Sequence, residues 1–340
     1  MKKYLAMMMA LAMSLSLVAC SSSSDSATTT TTTTTEATTE ATTEATAEAE
    51  VFQVGVVQLV EHEALDAATQ GFIDALEAAL PGQVEVTVQN AQNDSATCST
   101  IVNGFVSSDV DLIMCNATPA LQAAVAATTT IPILGTSVTE YGVALGISDF
   151  TGTVGGNISG TSDLAPLDEQ AAMLAEWFPD AETVGLLYCS AEANSQYQVD
   201  VVAAELEALG YACTLYSFSD SNDVASICTM AADESDVIYV PTDNTVASNT
   251  GIIYNICSPA GVPVIAGEEG ICGGCGVATL SISYYDLGTG TAAMAAKILT
   301  GEADISTMAI EYAPAFTPKY NADICAELGL TAPEGYEAIV

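Results

Sequence analysis

The chain has 340 residues, which is long enough for two average domains with a sizeable core. It contains 43 acidic residues, four lysines and no arginine, so its formal net charge at pH 7 is −39. So few basic side chains exclude a patch that binds nucleic acid, and an anionic membrane surface would repel the chain. The same shortage disfavours an anionic ligand and favours a zwitterion or a cation.

The first twenty residues have the pattern of a secretory signal. Lys2 and Lys3 form a short positive region, residues 5–18 are apolar, and Ala19 precedes Cys20. The apolar run is too short for a comfortable membrane span. We expect residues 1–19 to be a signal peptide and Cys20 to be lipidated, as in a bacterial lipoprotein. A plain signal peptide followed by an incidental cysteine is the alternative.

Residues 21–50 contain Ser, Thr, Ala and acidic residues, with no aromatic residue. Such a segment cannot bury enough apolar surface to offset its chain entropy. We therefore expect residues 20–50 to be a lipidated cysteine with a disordered tether. This arrangement predicts an extracytoplasmic protein, anchored by lipid to the outer face of the cell membrane.

From residue 51 onward, strand and helix patterns alternate. Residues 52–59 predict a short apolar strand, and in 64–80 Leu65, Phe72 and Leu76 share one helix face. The following elements are predicted strands at 84–88, 111–115 and 131–134, and predicted helices at 95–106 and 119–127. This alternation is typical of a parallel sheet with helices on both of its faces.

The same order of elements recurs about 130 residues later along the chain. The recurring elements are predicted strands at 183–188, 213–218, 236–240 and 262–266, and predicted helices at 194–209, 222–232 and 245–257. The repetition indicates two similar lobes, so the fold class we expect is α/β, with two doubly wound parallel-sheet lobes joined by a multi-strand hinge.

Several segments remain after these two lobes have been assigned. They are a polar, glycine-rich stretch at 152–163, a strand leading into a helix at 278–299, a short strand at 308–312 and a helix at 321–328. We expect lobe one to comprise 51–160 plus 281–310, and lobe two 161–280 plus 311–340. Several crossings between lobes make a hinge, and a hinged cleft closes on a ligand.

Candidate ligand-binding residues follow from the position of the loops, because ligands of open parallel sheets lie beyond the carboxyl ends of the strands. These loops supply hydroxyl and amide groups, acidic groups that could accept from an ammonium, and helix N-termini that suit a carboxylate. The candidates are Gln58, Glu61, His62, Thr118, Ser137, Thr139, Asp163, Tyr188, Ser190, Glu192, Asn194, Ser195, Asp243, Asn244, Glu268 and Tyr284. Helix capping explains any single one of them about as well.

An aromatic ligand would also need a flat apolar wall. The candidates for that wall are Tyr141, Tyr188, Tyr284 and Tyr285, which lie at strand ends or crossings. We expect Trp177 to be a packing residue that does not contact the ligand.

Catalytic and metal-binding patterns are weak. Nine cysteines follow Cys20, and their pairing cannot be deduced from sequence, although Cys98 and Cys115 could meet. The pair Cys272 and Cys275 has no second CxxC, so a local disulfide or free thiols are favoured over a metal site. Because the chain has no supported Ser-His-Asp set, phosphate loop or dinucleotide fingerprint, we expect neither a cofactor nor enzymatic activity.

Several stretches resemble ABC-transporter substrate-binding proteins of the type 1 periplasmic-binding fold. They are VGVVQLVEH at 54–62, ATPA at 117–120, GTSDL at 160–164, LYCSAEANS at 187–195, PTDNTVAS at 241–248, VIAGE at 264–268 and YYDLG at 284–288. Within this family, the chain is most similar to the subgroup linked to uptake of tryptophan, tyrosine or phenylalanine. It departs from the subgroup at Cys189, where Asn is usual, and in the cysteine-containing glycine loop at 271–275.

The resemblance implies a protein that captures a small zwitterionic solute between its lobes and delivers it to a permease with a cytoplasmic ATPase. An amino acid is expected, with an aromatic one favoured. The alternative is a lipid-anchored sensor that presents its bound solute to a membrane receptor. A surface hydrolase is a third candidate class of protein. The weakness of the catalytic motifs in the sequence disfavours it.

Overall fold

The computed structural model describes residues 51–339, which form two lobes with one sheet each. The expected signal peptide, Cys20 and the tether lie outside the described residues. Within the described range, no helix combines the length and the hydrophobicity needed to cross a bilayer.

The strands follow the alternating pattern of the sequence. They are β1 (Phe52–Gln58), β2 (Val84–Asn90), β3 (Leu112–Asn116), β4 (Ile133–Thr136), β5 (Ile158–Ser162), β6 (Thr183–Cys189), β7 (Ala212–Phe218), β8 (Val237–Val240), β9 (Val264–Ala266), β10 (Ala278–Ser281), β11 (Glu311–Tyr312), β12 (Thr317–Tyr320) and β13 (Glu337–Ala338).

The helices connect and cover these strands. They are α1 (Glu63–Ala79), α2 (Ser95–Ser107), α3 (Thr118–Ala127), α4 (Tyr141–Leu145), α5 (Leu167–Trp177), α6 (Ala193–Leu209), α7 (Val224–Glu234), α8 (Asn244–Ala247), α9 (Thr250–Ala260), α10 (Glu269–Cys275), α11 (Tyr284–Leu299) and α12 (Ala322–Leu328), with a 3-10 helix at Ile305–Thr307.

Lobe one contains a parallel six-stranded sheet in the order β11-β5-β4-β3-β1-β2. Every residue of β3 and β4 is buried, whereas the edge strand β2 is largely exposed. Central parallel strands are covered on both faces, which explains their continuous apolar sequence. Helix α11 returns to this lobe and packs along α1.

Lobe two contains a seven-stranded sheet in the order β13-β12-β10-β9-β8-β6-β7. Strand β12 is antiparallel to β10, and the other pairs are parallel. The predicted fold class, two parallel-sheet lobes of an α/β protein, is therefore confirmed.

Within residues 51–339, the chain passes between the two sheets three times: after β5, after β10 and after β11. Strand β5 ends at Ser162 and β11 begins at Glu311, so the first sheet extends slightly past the predicted lobe boundaries at 160 and 310. The division of the chain into these lobes stays a prediction.

The stretch at 152–163 was expected to be a polar crossing, but its second half is strand β5. Its side chains are satisfied inside the sheet by hydroxyl contacts rather than by apolar packing. Thr161 Oγ1 lies 3.1 Å from Thr136 Oγ1 and 2.8 Å from Thr291 Oγ1, and Ser159 Oγ donates to the carbonyl of Met308. A buried strand with hydroxyl side chains does not show the apolar run that would reveal it in the sequence.

The helix expected at 245–257 is broken into α8 and α9. Ser248 Oγ donates to the carbonyls of Asn244 and Thr245, and Asn249 Nδ2 also donates to the carbonyl of Thr245. These side chains satisfy the last carbonyls of α8 and end it.

The expected glycine loop at 271–275 is helix α10. Glu268 caps it, because its carboxylate accepts from the backbone N–H groups of Gly270 and Ile271 at 2.7 and 2.5 Å. The three glycines in this helix make it hard to recognise from sequence, since glycine is a poor helix former.

Candidate functional site

A small cavity lies where the carboxyl ends of the strands of the two sheets meet. Its lining residues are His62, Leu65, Ser137, Thr139, Asp163, Asn194, Thr242, Asp243, Asn244, Ala247, Glu268 and Tyr284. Its volume is about 10 Å³, which is room for about one water molecule. A solute larger than water therefore enters only if the lobes move apart.

Two hydrogen bonds join the lobes beside this cavity. His62 Nε2 and Asn244 Oδ1 are 3.2 Å apart, and Asn93 Nδ2 donates to Thr245 Oγ1 over 3.0 Å. His62 and Asn93 follow β1 and β2 of lobe one, whereas Asn244 and Thr245 begin α8 of lobe two. The lobes are thus in contact across the mouth of the cleft, in a closed arrangement.

Glu192 sets the orientation of the Asn244 amide. Its carboxylate accepts from Asn244 Nδ2 at 2.6 Å, which directs Asn244 Oδ1 toward His62. His62 Nε2 is therefore the donor in this contact. Burial lowers the pKa of His62, which favours a neutral ring whose Nδ1 is an acceptor.

Four polar atoms of the cavity lining have no hydrogen-bond partner within residues 51–339. They are His62 Nδ1, Ser137 Oγ, Asp163 Oδ1 and Asn194 Oδ1. The amide of Asn194 is oriented by its Nδ2, which donates to the carbonyl of Thr242 at 3.1 Å and to Glu192 at 3.2 Å. Because buried polar groups normally have partners, this convergence makes the cavity the candidate binding site of the described chain.

The cavity is acidic. Burial raises the pKa of Asp243 and that of Glu268 to about 7, and for Asp243 the charge of Glu192 adds to the effect. Burial also raises the pKa of Asp163, which is 4% exposed. No lysine or arginine of the described chain lines the cavity. The carboxyls of Asp243 and Glu268 accept instead from backbone N–H groups.

Nine of the sixteen predicted residues line this cavity: His62, Ser137, Thr139, Asp163, Asn194, Asp243, Asn244, Glu268 and Tyr284. Seven lie elsewhere: Gln58, Glu61, Thr118, Tyr188, Ser190, Glu192 and Ser195. Leu65, Thr242 and Ala247 line the cavity but were not predicted. These three residues lie in or next to the predicted loops. Their side chains are apolar or short, so the sequence alone did not indicate that they line a binding cavity.

The residues that lie elsewhere have local partners. Gln58 bonds Asp66 and Thr69 on α1, at 2.6 Å each, and so holds β1 to the helix. Glu61 is exposed. Thr118 begins α3, and its buried hydroxyl has no partner in the described part of the chain.

In lobe two, the predicted residues outside the cavity support its walls. Tyr188 donates to Gln196 Oε1 at 2.9 Å, and exposed Ser190 donates to the carbonyl of Phe218. Glu192 accepts from the backbone N–H groups of Asn244 and Thr245. Ser195 is fully buried and lies within 3.3 Å of Asn194 Nδ2.

The proposed aromatic wall is reduced to Tyr284. Tyr141 is buried and donates to the carbonyl of Thr161, whereas Tyr285 is 41% exposed and bonds Asp74. Trp177 packs edge-on against Tyr336, with ring centroids 5.3 Å apart, as expected for a packing residue.

All nine described cysteines are thiols in this structure. Cys275 Sγ donates to the carbonyl of Ile271, so of the two alternatives expected for the CxxC of α10, a local disulfide or free thiols, this structure has the free thiols. Cys189 Sγ faces the carbonyl of Ser219 and does not line the cavity, so its replacement of an asparagine leaves the lining unchanged.

Comparison with known proteins assigns the two-lobed architecture to a family. The model of the family described as ABC transporter substrate binding protein matches residues 53–337. The chain belongs to this family. It is therefore the substrate-binding component of an ABC transporter, a class that binds solutes outside the cytoplasm and serves a permease with its ATPase. The alternative role as a sensor is not favoured, and the family consists of solute-binding proteins rather than enzymes.

The chain is 36% identical to a tyrosine-binding protein of Clostridioides difficile over 252 residues. The aligned region covers 73% of each of the two chains. A crystal structure of an ABC domain in complex with L-Trp from Streptococcus pneumoniae has a TM-score of 0.80 at 29% identity, and covers 85% of this chain and 100% of that one.

A second solved relative is a ligand-free, open substrate-binding protein with adhesive properties from Clostridium difficile. The two sequences are 37% identical, and the superposition covers 85% of this chain and 99% of the relative. The TM-score is nevertheless only 0.65. The L-Trp complex is less identical in sequence but superposes better. The lobes of the present chain are therefore arranged more as in the L-Trp complex than as in the open protein, in agreement with the two hydrogen bonds across the cleft.

Proposed function

We propose that this chain captures an amino acid, with an aromatic one favoured, in the cleft between its lobes. The observation that carries the proposal is the convergence of unpartnered polar atoms on the cavity. They include three acceptors: His62 Nδ1, Asp163 Oδ1 and Asn194 Oδ1. A primary ammonium has three N–H donors, so it could satisfy all three acceptors at once.

The charge of the cavity supports the same ligand group. Asp163 carries one unpartnered oxygen, and Glu268 and Asp243 have raised pKa values because they are buried. An ammonium would favour the ionised form of these carboxyls and bind them through charge-assisted hydrogen bonds. A sugar or a purine would offer no full positive charge in exchange.

The carboxylate of the ligand needs donors, and no basic side chain lines the described cavity. We assign this role to the hydroxyl of Ser137, which follows β4 and lines the cavity, and to the unpartnered hydroxyl of Thr118, which begins α3 after β3 and lies outside the lining of the closed cavity. These strands are neighbours in the sheet, so their carboxyl ends lie side by side. Helix α3 begins without a side-chain cap, which leaves N–H groups and a positive dipole end for an anion.

The apolar part of the ligand would contact Leu65, Ala247 and Tyr284. The preference for an aromatic side chain rests on the tyrosine-binding relative and on the relative crystallised with L-Trp, in addition to the sequence resemblance.

The remaining predicted features complete the proposal. Residues 1–19 direct export, Cys20 carries the lipid anchor, residues 20–50 tether the two lobes to the outer face of the membrane, and the closed complex docks on the permease. In cells that express the chain, Cys20→Ser should release it from the membrane fraction. Continued membrane attachment of that variant would contradict the lipid anchor but would leave the ligand proposal untouched.

The ligand proposal is tested by calorimetric titration of the purified protein with L-tyrosine and two matched analogues. Tyramine lacks the carboxylate, and 3-(4-hydroxyphenyl)propionate lacks the ammonium. We expect L-tyrosine, L-tryptophan or L-phenylalanine to bind, and the analogue without ammonium to lose the most affinity. Equal binding of that analogue, or binding of sugars or purines alone, would show that the ligand class is wrong.

A further inference from the structure

Two cysteines in the core of lobe two lie in sulfur-to-sulfur contact. Cys228 belongs to α7 and Cys257 to α9, and their Sγ atoms are 3.6 Å apart. Both side chains are buried, at 0% and 1% exposure, in the apolar cluster between these helices and the sheet. Other thiols of the described chain contact carbonyl oxygens instead: Cys189, Cys275 and Cys325.

We propose that Cys228 and Cys257 are an oxidation site, and that they form a disulfide which joins α7 to α9 in the exported protein. A disulfide needs an S–S distance of about 2.05 Å, so the two sulfurs must approach by less than about 2 Å. Side-chain rotation with a small helix shift supplies such a movement. The family works outside the cytoplasm, where disulfides persist.

The reaction is a thiol–disulfide exchange with an external disulfide, which is the oxidant. One protein thiolate attacks a sulfur of the external disulfide and releases the first reduced thiol. The second protein thiolate then attacks the mixed disulfide and releases the second reduced thiol. Together, the two cysteines lose two protons and two electrons. The external disulfide takes up these protons and electrons and becomes two thiols.

Burial decides when the bond forms. A bulky disulfide cannot reach two side chains that are at most 1% exposed, so exchange takes place during folding, before α7 and α9 close over the pair. The finished bond is shielded from reductants for the same reason. It closes a loop between residues 29 positions apart and restricts the unfolded chain, so it stabilises lobe two.

The test is oxidative refolding of the full chain. Reduced, denatured protein is refolded in a mixture of oxidised and reduced glutathione, free thiols are alkylated, and peptides are analysed by mass spectrometry without reduction. We expect a peptide pair linked through Cys228 and Cys257, lighter by two hydrogen atoms than the reduced pair. Recovery of both cysteines in alkylated form, or linked mainly to other cysteines, would overturn the proposal.

A stability measurement with two variants provides an independent readout. The oxidised protein should melt about 5–10 °C higher than the same protein refolded under reducing conditions. Cys228→Ala should remove this difference. Cys98→Ala is the matched control, because Cys98 is also a fully buried helical cysteine, and it should keep the difference. A difference that survives in Cys228→Ala would contradict the proposed pair.

Discussion

The hydroxyl of Tyr284 donates a hydrogen bond to Oδ2 of Asp163 over 3.0 Å, although the two residues are 121 positions apart in the chain. Asp163 follows β5 on the first crossing between the lobes, and Tyr284 begins α11 after the second. The bond therefore fastens two hinge segments together at the cavity. It occupies one oxygen of the carboxylate and leaves the other, Oδ1, among the unpartnered atoms of the described lining.

Replacement of Asp163 by Asn should weaken amino-acid binding strongly. The change removes the negative charge but keeps the size of the side chain and its acceptor for Tyr284. A charge-assisted hydrogen bond contributes about 1.5–3 kcal/mol, so the dissociation constant should rise by roughly 10- to 100-fold, as measured by calorimetric titration. An unchanged dissociation constant would remove Asp163 from the ammonium site.

Tyr284→Phe is the matched control for this position. It removes the hydrogen bond to Asp163 but leaves the charge and the aromatic ring in the lining. We expect a smaller loss of affinity than with Asp163→Asn.

Closure of the lobes should depend on the contact between Asn93 and Thr245. Asn93 has φ of 62°, a left-handed conformation that glycine adopts freely, so Asn93→Gly removes the bond without adding strain. One net hydrogen bond of about 1 kcal/mol should shift the population toward the open form and weaken ligand binding about fivefold. Small-angle X-ray scattering should then show a larger radius of gyration.

Gln92→Gly tests whether the effect comes from the bond across the cleft. Gln92 is the neighbouring residue, with φ of 55°, and its side chain is exposed. This variant should bind ligand and scatter as the original protein does. If both variants open equally, loop flexibility rather than the contact with Thr245 controls closure.

The stability of the ligand-free protein should fall less between acidic and neutral pH when Glu268 is replaced by Gln. Burial raises the pKa of Glu268 to about 7 from an ordinary value of 4.5. Below the ordinary pKa, both folded and unfolded chains hold the proton and no cost arises. As the pH rises toward 7, the unfolded chain releases the proton more readily, so the buried carboxyl costs the folded state stability, about 3 kcal/mol above pH 7.

Urea unfolding at pH 4.5 and at pH 8, without ligand, measures this difference. The free energy of unfolding of Glu268→Gln relative to the original protein should increase by about 3 kcal/mol between the two pH values. Exposed Glu77 on α1 offers the control Glu77→Gln for the loss of one negative charge. A relative stability of Glu268→Gln that does not change with pH would contradict this prediction.

Much of the fold could be predicted because its central strands and helices carry regular apolar patterns. Strands β1 and β3 and helix α1 fall within a few residues of their predicted bounds. The missed elements lack that signal for physical reasons: β5 fills its faces with hydroxyl groups, α10 contains three glycines, and β13 has only two residues.

The residues of the site could be predicted only where their position after the carboxyl end of a strand places them in the cavity. His62 and Asp243 lie in the cavity because they follow β1 and β8, as the parallel-sheet rule requires. Gln58 and Tyr188 also lie at or near strand ends, but their side chains turn back to α1 and α6. The orientation of one lobe relative to the other decides which of the strand-end loops line the cavity. That orientation depends on contacts between distant residues, such as Asn93 with Thr245, which a local sequence pattern does not reveal.

The packing of α11 on α1 gives a final prediction, which concerns stability. At Gly288, a Cβ atom would lie 2.0 Å from the carbonyl oxygen of Ala68, and backbone on both helices blocks relief of the clash. Gly288→Ala should therefore destabilise the protein by about 3 kcal/mol or more in urea unfolding. Gly290 lies on the same helix, where a Cβ would meet only Thr161 Cγ2 at 3.7 Å. Gly290→Ala should be neutral, or stabilising by up to about 1 kcal/mol, because alanine favours helix. Equal effects of the two substitutions would mean that the helices do not approach each other as closely as this contact requires.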